Sequence, residues 1–201
     1  MSRGVGAADA LSRLREGNAR FAANVRSPGS LLSAERRAAL AVAQEPFAIV
    51  LGCSDSRVPV EIVFDQGPGD LFVIRVAGNV VAPSLIGSVE FAADRFGTRL
   101  VVVLGHSSCG AIAATLEELH RPSANHSPNL RDIVDRISPA VRGIDDEHEA
   151  MRANIQASVQ QLRHGSRIIE GLVAAQGLLI VGAWYELETG QVRFLEEMLT
   201  A

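Results

Sequence analysis

An α/β fold with a mainly parallel central sheet is what this chain of 201 residues predicts, on three observations. Short continuous apolar runs recur along it, each the length of a strand buried on both faces. Stretches with helical spacing lie between them, and strands alternating with helices give a parallel sheet covered by helices. Near the carboxyl end, two short β-type segments flank a turn, which reads as a hairpin.

Taken in order, Ala8 to Ala23 reads as an amphipathic helix, with Leu11, Leu14 and Phe21 on one face and Arg13, Glu16 and Arg20 between them. Ser27-Pro28-Gly29-Ser30 is a turn cluster, and Ser33 to Ala43 a second helix. Phe47 to Leu51 is the first buried strand, and Leu71 to Val76 the second, after the Gly67-Pro68-Gly69 breaker. Leu85 to Phe96 has helical spacing and stops at Gly97; Leu100 to Leu104 is the third strand, and Cys109 to His120 the helix after it. Pro122 to Pro128 is a loop with Asn125-His126-Ser127 at its tip. Asn129 to Val141 and Asp145 to Ala175 read as helices, the second opening on acidic residues that suit a helix N-terminus. Gly177 to Val181 is the fourth strand, and Trp184-Tyr185-Glu186-Leu187 and Gln191-Val192-Arg193-Phe194 flank Glu188-Thr189-Gly190 as the hairpin. No internal repeat interrupts the order.

The length suits a single domain with an ample core. A net charge of -4, with the basic residues scattered, gives no footprint for nucleic acid or an anionic membrane. Every strong apolar run is broken within about ten residues, short of a membrane span. The N-terminal residues lead into an amphipathic pattern without a secretory h-region, so a cytoplasmic location is expected.

The chemistry gathers at two polar knots, each placed where a buried strand stops. Cys53-Ser54-Asp55-Ser56-Arg57 follows the first strand, and His106-Ser107-Ser108-Cys109-Gly110 follows the third. Ligand sites in parallel sheets form beyond the carboxyl ends of strands, which is where both knots fall. Two thiols and an imidazole are soft and borderline ligands that point to zinc, and Cys₂His is a set found at catalytic zinc with one position open. A disulfide or two inert core thiols are the competing readings, the first disfavoured by a chain with only two cysteines. His106 and Cys109 converge from a strand end and a helix start, where the helix favours thiolate. Asp55 and Arg57 read either as a local surface ion pair or as a carboxylate, held by arginine, that orients a zinc-bound hydroxide. Asp55 also has the reach to bind zinc itself as a fourth ligand and close the site.

The two knots, 53 residues apart, resemble the paired signatures of the β-class carbonic anhydrases. Glu16-Gly17-Asn18-Ala19-Arg20-Phe21, Asp70-Leu71-Phe72-Val73-Ile74-Arg75 and Gly87-Ser88-Val89-Glu90-Phe91-Ala92 are similar to the family's N-terminal helix and central region, so the resemblance covers nearly the whole chain. It implies Cys53, His106 and Cys109 as ligands of one zinc ion and Asp55 with Arg57 as the catalytic dyad. It implies Gln44 as a residue reaching the substrate of a neighbouring subunit, and Phe72, Ala77 and Gly110 as lining the apolar substrate pocket. Phe91 stands where some members have tyrosine. Arg75 and Tyr185 match two residues of a second, inhibitory bicarbonate pocket found in some bacterial members, but its tryptophan position is Val50, and both read as structural here. His120, His126, His148 and His164 have no spacing that ties them to the site and read as surface histidines.

The expected protein is thus one domain over 1–201, with an N-terminal helical arm over 1–45 that packs on a partner subunit and a zinc-binding α/β core over 46–201. The expected reaction is reversible hydration of CO₂ to bicarbonate and a proton, in a homodimer or a dimer of dimers. Two alternatives remain open from the motifs: hydrolysis of carbon disulfide or carbonyl sulfide on the same fold, and a non-catalytic zinc scaffold closed by Asp55.

Overall fold

A computed structural model describes residues 4–27, 33–122 and 127–195. Pro28 to Ser30 of the expected turn, and Asn125 and His126 of the expected loop tip, lie outside the described residues. The apolar runs form β1 (Ala48–Gly52), β2 (Leu71–Arg75), β3 (Leu100–His106) and β4 (Leu179–Tyr185), in the order β2-β1-β3-β4 and all parallel. The hairpin strand β5 (Val192–Phe194) pairs antiparallel with β4, Trp184 opposite Arg193.

Alternation along the strands sends side chains to two cores. Ile49, Leu51, Val101, Val103 and Ile180 pack beneath α4 (Pro83–Arg95), α5 (Gly110–His120), α6 (Pro128–Val141), α7 (Glu147–His164) and α8 (Arg167–Gln176). Ala48, Val50, Leu100, Val102, Leu104 and Val181 face α1 (Ala7–Ala22) and the single turn α3 (Val60–Val63). β1 and β3 are buried along their whole length, which is why they read as continuous apolar runs.

The N-terminal segment divides in two. α1 seats on its own chain: Ala10, Leu11 and Leu14 enter the core, and Asn18 donates to the Val63 and Gly190 carbonyls while accepting from the Val192 amide. Gly17 permits that approach, since a Cβ there would collide with the Phe64 carbonyl. α2 (Ala34–Val42), capped by the Ser33 hydroxyl on the Arg36 amide, buries no residue at all.

The expected helix from Asp145 to Ala175 is two helices. Ser166 turns extended, and its hydroxyl accepts from the Ile168 and Ile169 amides to cap α8. Gly165 fills the break, where a side chain would strike the Gln161 carbonyl. The fourth strand starts at Leu179 because Gly177, left-handed at φ 69°, closes α8. Cys109 is the N-cap of α5 and not its first residue. α3 and a 3₁₀ turn at Ala77–Asn79 are too short to show a period in the sequence.

Candidate metal centre

The chain leaves β1 for β2 on one side and returns to β3 on the other, so the sheet has its switch point between β1 and β3. Cys53 follows β1 directly, His106 is the last residue of β3, and Cys109 caps α5. Their ligand atoms all lie within 4.8 Å of one another, and all three residues are buried.

The donor set fits a metal ion. His106 Nδ1 lies 2.9 Å from the Ser107 carbonyl, which only accepts, so the proton sits on Nδ1. Nε2 is then a buried lone pair with no hydrogen-bond partner, an arrangement that costs roughly 1–3 kcal/mol unless something binds there. The hydrogen bond from Cys109 pulls Cys53 well below the ordinary thiol range, against the opposing effect of burial. Cys109 is pushed up as the donor of that bond. Burial lowers His106, but the Cys53 sulfur beside it and the Ser107 carbonyl outweigh that, and the net shift is upward. A thiolate, a thiol sharing its proton and a bare imidazole nitrogen are what a divalent ion of zinc's softness would take, with a fourth position left open.

Asp55 and Arg57 border this cluster. Arg57 Nε and Nη2 hold the two carboxylate oxygens at 2.9 and 2.7 Å, and the Arg57 amide adds a third bond at 2.9 Å. Arg57 Nη2 also donates to the Ser108 carbonyl at 3.1 Å, tying the two knots together across a left-handed Ser108 (φ 53°). The Arg57 guanidinium holds the Asp55 carboxyl well below the usual carboxylate range. Asp55 Oδ2 stands 3.8 Å from His106 Nε2, close enough to meet a group at the open position. Gly110 begins α5 with open space where a side chain would point. Ala77 is half-buried on the 3₁₀ turn whose Gly78 amide donates to Cys53 Sγ at 3.4 Å.

Two of the site residues expected by resemblance are not brought here within one chain. Gln44 precedes β1, while Cys53 follows it, and a five-residue strand alone separates the two ends by about 17 Å. Phe72 pairs with Ile49 early in the sheet, and its ring packs 6.2 Å from Phe91 and 6.1 Å from Phe96. Phe96 and Gln44 line one open groove of about 670 Å³ with Leu40, Val42 and Arg95. Gln44 and Phe72 therefore belong to a second locus, away from this chain's own cysteines.

Arg75 donates to the carbonyls of Cys53 (3.0 Å) and Asp55 (2.5 Å), clamping the first knot. Val50 is core, and Tyr185 is buried with its ring 6.3 Å from Phe21. Arg75 thus braces the first knot, and Val50 and Tyr185 belong to one core. His120 and His164 lie exposed beside Asp145 and Glu170, and His148 stands edge-on to Trp184. Sequence reasoning missed the supports from a distance. The Ser107 hydroxyl donates to Glu186 and accepts the Leu187 amide, and Asn154 and Ser158 of α7 hold the 3₁₀ turn. The one available signal was two polar residues on the apolar stripe of α7, among Met151, Ile155 and Val159.

A family profile described as carbonic anhydrase matches residues 48–192. A carbonic anhydrase of Mycolicibacterium smegmatis is 44% identical over 190 residues, covering 91% of this chain and 90% of the relative. Carbonic anhydrase 2 of Mycobacterium tuberculosis is 39% identical over 187 residues, with 90% and 89% covered. Among solved structures, the β-carbonic anhydrase CcaA superposes with a TM-score of 0.69 at 25% identity, over 93% of this chain and 92% of that one. One of two tetrameric β-carbonic anhydrases of Sordaria macrospora gives the same score at 24% identity, over 79% and 85%. The chain belongs to the β-class carbonic anhydrase family.

Proposed function

We propose that this protein catalyses CO₂ + H₂O ⇌ HCO₃⁻ + H⁺ at a zinc ion held by Cys53, His106 and Cys109. The observation that carries it is the buried three-ligand cluster with an orphaned imidazole nitrogen, bordered by a locked Asp55–Arg57 pair, in a chain of this family. Zinc in such a site supplies Lewis acidity, making a water nucleophilic near neutral pH. Asp55, ionised and acceptor-only, takes a hydrogen bond from that water and turns its lone pair toward carbon. Arg57 fixes the carboxylate by a two-pronged bond that lysine could not copy. With both oxygens of Asp55 on Arg57, the geometry supports an open fourth position over closure by Asp55.

CO₂ carries no charge, so an apolar wall must hold it, and Gln44 would donate to the bicarbonate that forms. Since Gln44 and Phe72 stand apart from this chain's cysteines, each site takes them from a partner in a two-fold dimer. Three features support that assembly: α2 buries nothing, and Val42 and Phe91 are 88% and 53% exposed beside the groove. Two unpaired cysteines fit the reducing cytoplasm, and no helix among the described residues is long and apolar enough to cross a membrane. Stopped-flow CO₂ hydration, run beside sulfide release from carbon disulfide and carbonyl sulfide, tests the substrate. Hydration without sulfide release is expected, and the reverse would assign the sulfide chemistry instead.

A further inference from the structure

We infer that Asn154 of α7 is a positioning residue for the metal centre, acting on the Cys53 sulfur through the backbone of Gly78. This rests on the metal assignment above. The amide of Gly78 donates to Cys53 Sγ at 3.4 Å, and the carbonyl of the same residue accepts from Asn154 Nδ2 at 2.8 Å. One helical turn on, Ser158 Oγ donates to the Asn79 carbonyl at 3.2 Å. Both side chains are almost wholly buried, so neither has water as a competing partner.

The turn they hold does not hold itself. Gly78 and Asn79 are left-handed in succession, at φ 67° and 44°, a conformation that costs an ordinary residue roughly 1–2 kcal/mol. It persists where surrounding contacts over-determine it. On one side, Ile137 and Ala111 leave no room for a side chain at Gly78. On the other, Asn154 and Ser158 take the carbonyls of Gly78 and Asn79 and so fix the two peptide planes that follow the Gly78 Cα. The Gly78 amide lies in the preceding plane, hinged on the same Cα, so with φ held at 67° this anchorage aims it at the sulfur.

An N–H donor on a thiolate withdraws negative charge from sulfur, so the sulfur gives less to the metal. α7 thus sets how strongly Cys53 donates, without touching ligand or substrate. Asn154 sits 76 residues from Gly78 in sequence, and Ile155 beside it packs on Gly105 of β3, the strand that carries His106. Packing and positioning are therefore separable on adjacent residues of one helix.

The test uses the full chain loaded with cobalt(II), whose sulfur-to-metal charge-transfer band reads thiolate donation directly. Asn154→Leu keeps the branched shape and removes the donor, Ser158→Ala removes the second anchor, and Ile155→Val loosens the helix without touching the turn. The band is expected to move to lower energy in Asn154→Leu, to move less in the same direction in Ser158→Ala, and to stay put in Ile155→Val despite a lower melting temperature. An unmoved band in folded Asn154→Leu overturns the inference, as does an equal shift in Ile155→Val. If Asn154→Leu does not fold, Ser158→Ala decides alone, its band moved or unmoved. Absence of any sulfur-to-cobalt band in the wild type would instead remove the metal assignment itself.

Discussion

If Gln44 serves the partner's site, two inactive variants should rescue each other. A Gln44→Ala subunit keeps its own cysteines and Asp55, and an Asp55→Ala subunit keeps its Gln44. In their hybrid dimer, one site has intact Asp55 from the first subunit and intact Gln44 from the second; the other site lacks both. Random pairing of equal amounts makes about half of the dimers hybrids, each with one working site of two, so the mixture should recover about a quarter of wild-type activity. The Gln44→Ala homodimer itself should retain zinc and lose on the order of 10- to 100-fold in turnover, the range for a hydrogen bond to a charged group. The structural basis is the β1 strand, which sets Gln44 and Cys53 at its opposite ends. Differently tagged subunits, mixed and purified by both tags, give hybrids whose CO₂ hydration can be measured by stopped flow. Purified hybrids no more active than the parents would refute the shared site.

Other perturbations test separate parts of the account. Cys109→Ser and His106→Ala should lose zinc and activity together, by elemental analysis and stopped flow, since removing one ligand weakens the whole site. Arg57→Ala should free Asp55, lower turnover and exchange the fourth-position water for a carboxylate oxygen, read as a carboxylate carbon near the metal in zinc-edge absorption; an unchanged spectrum would show that Arg57 does not restrain the carboxylate. Gly78→Ala would place a Cβ 2.7 Å from Ile137 Cδ1 at φ 67°, costing about 2–5 kcal/mol from backbone and overpacking together, and calorimetry should show a melting point lower by roughly 4–20 °C. Burial raises the Tyr185 phenol, so its contribution is full below the ordinary phenol value of about 10 and is lost as pH rises through the folded value. With one tyrosine and no lysine in the chain, Tyr185→Phe should flatten the alkaline fall in urea stability of the zinc-loaded protein.

The strands were legible because β1 and β3 are buried on both faces and leave continuous apolar runs. The break at Gly165–Ser166 was not, because apolar spacing runs on across it: Val159 and Leu162 before, Ile169 and Leu172 after, all enter one core. A single glycine in such a pattern does not announce a cap, and it takes the Ser166 hydroxyl on two amides to make one. The cluster could be found because Cys53 and His106 sit at strand ends and Cys109 at the start of the helix that follows, where a parallel sheet places chemistry. Nothing local marks Gln44 or Phe72, which the resemblance alone singled out, and the fold places both towards the other end of the sheet from the cysteines. Asn154 was out of reach for a different reason: its contact spans 76 residues, and only the finished packing of α7 over the 3₁₀ turn creates it.

The central claim is that zinc at the cysteine–histidine cluster hydrates CO₂. Its most direct test measures zinc content and stopped-flow CO₂ hydration on the same sample, as purified, after stripping by chelator, and after reloading. The account predicts one zinc per chain, hydration that disappears with the metal, and recovery in proportion to zinc restored. Full zinc occupancy with no hydration at any pH, or hydration that survives removal of the metal, would contradict it.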